Sequence, residues 1–220
     1  MLRSLLRFIL LFIVTYGLGV FAFSKMDIFT SLHAFFRNSV EFVVSTALPS
    51  CEIEAQIFFD PITKKEDKTM MYLVYGNPFL MKKALEEARA SGQGYATMPT
   101  KSIQFKLFEM FTIPLLFLIS IFIATPIAVR QKLKGLLWSA IILFVFLLFK
   151  VLLLALFNIS NARIGVYELT DANMSSLNTL ISMFSLGFSM SLALILWLIW
   201  GFRKSSFIHY LNQIFSNLSK

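Results

Sequence analysis

Two sets of residues in this chain have the types and positions to do chemistry. The first is built around Lys150, which interrupts the apolar run Leu136–Phe157 about 10 Å inside its outer end, at ~1.5 Å per helical residue. An ammonium at that depth is costly, so three readings compete: a proton or substrate path, a structural ion pair, or a lysine stem that carries its charge back to the interface. Glu109, at the start of the apolar run Leu107–Ala128, is the candidate intramembrane counter-ion of Lys150. The second set is Cys51 with His33, a thiol and an imidazole of the kind that form a nucleophile and its base, with Arg37 or Arg163 to hold an oxyanion. Such a set would serve acyl transfer at the membrane, in a transpeptidase or protease. Yet Cys51 opens an alternating stretch in which it shares the apolar side with Ile53 and Ala55, and a lone cysteine there is usually a small core residue. His33 and His209 are the only histidines, and neither stands in an HExxH or paired Cys/His pattern, so no metal site and no cofactor is expected.

The elements that must position these residues follow from hydropathy and charge. At 57% hydrophobic and 15% charged over 220 residues, the chain is too apolar for a soluble domain. Four apolar stretches, Leu5–Phe23, Leu107–Ala128, Leu136–Phe157 and Leu180–Phe202, have the length of membrane spans. The segments this places on one side hold Arg3, Arg7, Arg130, Lys132, Lys134, Arg203, Lys204 and Lys220 and no acid. The other twelve cations meet all twelve acids, so the whole net charge of +8 sits on one face, which is the positive-inside pattern. It orients both termini toward the cytoplasm of a bacterial inner membrane. Ala22-Phe23-Ser24 resembles a signal cleavage site, but the apolar run is long for a cleavable signal, so residues 1–23 are expected to be an uncleaved signal anchor. The charge pattern also explains the basic balance by topology and lipid headgroups, so nucleic acid is not an expected partner.

The fold class expected is therefore a membrane all-α core of four transmembrane helices, with a small α+β extracytoplasmic domain inserted between helices 1 and 2. That domain covers residues 24–106. Ile28, Phe29, Leu32, Phe35, Phe36, Val40, Val43 and Ala47 recur at helical spacing and predict an amphipathic helix, which lies either on the outer leaflet or across a sheet. The alternation from Cys51 to Phe59 and the β-formers of Lys68–Tyr75 predict a hairpin with a long loop. Asn77-Pro78 predicts a capped helix ending at Ser91-Gly92, and Ser102–Phe105 leads into the second span. Beyond the module, residues 107–157 form a helical hairpin around the basic turn Val129–Gly135. Pro114 and Pro126 are candidate kinks of the second span. Residues 158–179 form a second outer loop, 180–202 the fourth span, and 203–220 an amphipathic cytoplasmic tail.

Small residues mark candidate helix-packing faces: Gly17 and Gly19 on the first span, and Ser182, Ser185, Ser189 and Ala193 on the fourth. With a folded outer module and no catalytic spacing, the reading that follows is an accessory or scaffold subunit of a multiprotein envelope complex. Its expected partners are membrane lipids and other integral membrane or envelope proteins. One outer domain after the first span, then a hairpin and a fourth span, is similar in topology to the permease subunits of ABC exporters, and this resemblance implies coupling to an ATPase. Val129–Gly135 is short for the helix that such coupling needs. The exosortase and archaeosortase group of membrane transpeptidases uses a Cys, Arg and His set, but on an Ala-Cys-Ser-Gly context that differs from Pro49-Ser50-Cys51-Glu52.

Overall fold

The computed structural model describes residues 2–25, 30–59, 66–92, 96–184 and 186–205. They fall into two compact units. One comprises Met1–Phe29, Glu109–Leu147 and Ser185–Lys220, the other Thr30–Phe108 and Leu148–Phe184.

The second unit contains the inserted domain. Helix α2 (Thr30–Ala47) is followed by strands β1 (Glu52–Phe59) and β2 (Glu66–Gly76), helix α3 (Pro78–Ala90) and strand β3 (Thr100–Lys106). The strands form one antiparallel sheet in the order β1-β2-β3. Alternation gives the sheet its two faces. Ile53, Ala55, Met71, Leu73, Tyr75 and Phe105 are buried, while Glu52, Glu54, Gln56, Ser102 and Gln104 are exposed. Helix α2 packs against β1 and β2 and buries His33, Phe36, Val40 and Val44, so the expected amphipathic helix does cover the sheet. On the outer rim of β1, the Ala55 N–H donates to the Glu41 carboxylate of α2 at 3.2 Å. α3 starts where its cap predicts: Asn77 Oδ1 accepts from the Phe79 N–H at 3.0 Å, with Pro78 in the first turn. The sequence had only a lead-in at Ser102–Phe105, whereas β3 pairs with β2 from Met70↔Lys106 to Gly76↔Thr100.

In the first unit, α1 (Leu2–Lys25) packs on α4 (Ile113–Ala124). Phe12 and Tyr16 meet Phe117 edge-on, with centroids at 5.4 and 6.1 Å. Gly19 permits the approach, because a Cβ there would stand 3.1 Å from Leu116 Cδ2. Helix α7 (Leu186–Trp200) also packs on α4 and buries Ser189, Ala193, Leu196 and Trp197. The Trp197 indole N–H donates to Thr125 Oγ1 at 2.7 Å in a buried site. Helix α5 runs unbroken from Val129 to Asn161.

Three expected boundaries change. The turn between the second and third apolar segments is Thr125–Ala128, not Val129–Gly135, whose residues are the first two turns of α5. Pro126 therefore ends α4 instead of kinking it. Arg130, Gln131, Lys132 and Lys134 are good helix formers, and the Lys132 ammonium donates to the Ile123 carbonyl at 2.6 Å, closing the C-terminus of α4. The second apolar segment is helical only over Phe108–Ala124, beginning with a π-helical turn, Phe108–Thr112. Pro114 follows that turn, in the first turn of α4, where a proline is tolerated. The expected fourth span divides at Phe184. Helix α6 (Asp171–Met183) begins inside the expected outer loop and belongs to the second unit, whereas α7 belongs to the first. Two helices, α1 and α5, are thus long and apolar enough to cross a membrane, or three crossings arise if α6 and α7 make one broken span. The expected amphipathic tail lies mostly outside the described residues. Its start, Phe202–Lys204, is a single 3₁₀ turn.

Candidate functional site

Cys51 sits where the hydrophobic alternation puts it, on the inner side at the entry to β1. It is 5% exposed, and its Sγ lies 3.3 Å from the Gly76 carbonyl as a hydrogen-bond donor. Burial pushes the thiol above its ordinary value and the Glu52 carboxylate acts in the same direction, which is the reverse of what a nucleophile needs. His33 is in the first turn of α2 and Cys51 just beyond its last, so about 20 Å of helix axis at 1.5 Å per residue separates them. The fold does not assemble them as nucleophile and base. Among the described residues, no three His, Cys, Asp or Glu side chains converge on a point that could hold a metal.

What the second unit does assemble is a fastening between the sheet domain and the end of α5 with the loop after it. The Tyr75 hydroxyl donates to the Asn158 carbonyl at 3.3 Å, and Asn77 Nδ2 donates to the Ile164 carbonyl at 3.0 Å. The Ser50 N–H donates to the Tyr167 hydroxyl at 3.0 Å. Inside the loop, the Leu169 N–H donates to Ser160 Oγ at 2.9 Å. Arg163 and Tyr167 take left-handed backbone angles, φ 49° and 51°, to make these turns. Arg163, Glu168 and Asp171 point to solvent, so the loop docks through its neutral residues and leaves its charges free to meet something else. Burial also raises the Tyr75 phenol above its ordinary value, so it stays a neutral donor.

Sequence reasoning missed this fastening. Asn77 carries a readable signal as a helix cap, and the same side chain is the fastening's donor. Tyr75 reads as a core strand residue, and Tyr167 and Ser50 as loop. Nothing periodic connects segments so far apart in the chain.

The remaining sequence-derived candidates are dispersed. Lys150 is 9% exposed and lies in the second unit, while Glu109 is in the first and exposed. No hydrogen bond or ion pair to the Lys150 ammonium occurs among the described residues. Of the small-residue positions, Gly19 meets Leu116, while a Cβ at Gly17 would meet nothing within 4 Å. Ser189 and Ala193 are buried on α7, and Ser182 is exposed on α6. Ser185 lies outside the described residues. The Ser139 and Ser189 hydroxyls are buried with no partner in the described structure. No protein-family model, no curated protein and no solved structure matches the chain.

Proposed function

We propose that this protein is a polytopic accessory or scaffold subunit of a multiprotein envelope complex, seated in a bacterial inner membrane by four spans with both termini cytoplasmic. In this reading, α1, Phe108–Ala124, α5 and α7 are the spans and the sheet domain stands on the extracytoplasmic side. Phe108–Ala124 is about 25 Å long at 1.5 Å per residue, short of a ~30 Å hydrocarbon core by an amount that local thinning accommodates. Partners are other integral membrane or envelope proteins, met through the domain and the helix faces.

The observation that carries the reading is the fastening of the inserted domain to α5. A hydrogen bond from Tyr75 ties the domain to the end of a long apolar helix, and those of Asn77 and Ser50 tie it to the loop that follows. A surface tied down in this way is suited to recognition. Purification of the full chain in mild detergent tests it. A stoichiometric complex with envelope proteins is expected, and a chain that elutes alone and monodisperse from its native membrane overturns it. Co-purification of an ATPase would instead support a permease role.

A further inference from the structure

Helix α2 uses one face for the sheet and has a second face that the domain leaves uncovered. Ser31, Phe35, Asn38, Phe42 and Thr46 form the exposed stripe, at steps of three and four residues. Phe42 is 71% exposed and Phe35 59%. No charged residue stands on it. The two ionic residues of α2, Arg37 and Glu41, lie off the stripe and are half-buried, and Glu41 is held by the β1 backbone. A water-facing helix surface normally carries charge, and two phenylalanines among Ser, Asn and Thr describe instead a surface built for a zone that is apolar on one side and rich in hydrogen-bonding groups on the other.

The occupant follows from what α2 is joined to. Helix α1 is long, apolar and uncovered enough to contact lipid along its length. Only residues 26–29 separate it from α2, an extended reach of about 18 Å from Lys25 to Thr30, so α2 starts within reach of the bilayer surface. We propose that α2 is clamped between the sheet and the bilayer, its outer stripe seated in the lipid headgroup–acyl boundary. The proposal rests on α1 being a membrane span and not on any partner protein, so it can fail while the scaffold reading stands, and the reverse.

Site-directed spin labelling of the full chain in phosphatidylcholine vesicles tests it. Cys51 is buried with a raised thiol pKa and will not compete for the label, which the unmodified chain verifies. Nitroxides attached through Phe42→Cys and Phe35→Cys are expected to collide with oxygen more than with a water-soluble nickel complex, at a depth of about 5–10 Å below the headgroup level. A label at Lys83→Cys, on the exposed side of α3, is expected to show the opposite preference. Should the phenylalanine variants not fold, Asn38→Cys and Thr46→Cys report on the same stripe from polar positions. Nickel accessibility along the stripe equal to that at Lys83 overturns the proposal. So does a stripe shielded from both reagents in native membranes but open to nickel in pure lipid, since a protein then covers α2.

Discussion

At the scale of the residue, burial decides chemistry more than residue type does. Cys51 has the type of a nucleophile and the surroundings of a core atom. Its thiol is raised, so the neutral form is favoured in the fold. This contribution to stability is fully present below the ordinary thiol pKa and is lost as pH climbs through the raised value. Alkylation in the folded chain at pH 8 should therefore be much slower than after denaturation, and Cys51→Ala should leave cellular function intact; rapid alkylation of the folded chain would restore the thiol to consideration. Lys150 is buried without a partner among the described residues, so Lys150→Met should raise the unfolding free energy in detergent by on the order of 1 kcal/mol. A loss of that size would mean that a carboxylate, Glu109 first, neutralises it. Arg163 occupies a left-handed position that costs a side-chain-bearing residue about 1 kcal/mol. Arg163→Gly should recover part of this in a denaturant titration, whereas Arg163→Ala, which keeps the Cβ, should not.

At the scale of the element, the helices and the first strand were legible because each carries a local rule: the 3.6-residue period of α2, the alternation of β1, the Asn77-Pro78 cap of α3. β3 was not, because Ser102 and Gln104 alternate with only Ile103 and Phe105, too short a pattern to separate from the approach to an apolar helix. Val129–Gly135 misled for a different reason. Its cations looked like a loop, although they are helix formers on a helix terminus, and the true breaker was Pro126. The division at Phe184 stands beside Gly187, a weak breaker that a single glycine in an apolar run does not announce. Packing between helices was partly legible, since Gly19 was singled out but Gly135 was not. A Cβ at Gly135 would lie 2.8 Å from Phe122 Cε1 and 3.3 Å from Trp200 Cβ. Gly135→Ala should therefore destabilise by about 1–3 kcal/mol through overpacking. Gly17→Ala, facing open space, should stabilise by up to about 1 kcal/mol through helix propensity. Thermal shift assays on both variants check the contrast, and equal responses would contradict the packing described for α5.

At the scale of the whole molecule, charge distribution remains the strongest sequence signal, and its proposed meaning is open to a direct check. Reporter fusions after Lys134 should report the cytoplasm and fusions within the sheet domain the opposite side; an outside signal after Lys134 would reverse the four-span arrangement. The candidate site was the least legible part, because a fastening made of backbone groups and neutral side chains leaves no compositional trace. One detail of the sheet reaches beyond the single chain. With the Glu41 carboxylate planted on the Ala55 N–H, an incoming strand at β1 would lose a bond and meet a negative charge, while β3 has no strand on its far side among the described residues. Edge-to-edge pairing is thereby disfavoured at β1 relative to β3. Two copies joined β3 to β3 would leave only the charge-guarded β1 edges outermost, so association through this sheet would favour a closed twofold pair over a fibre.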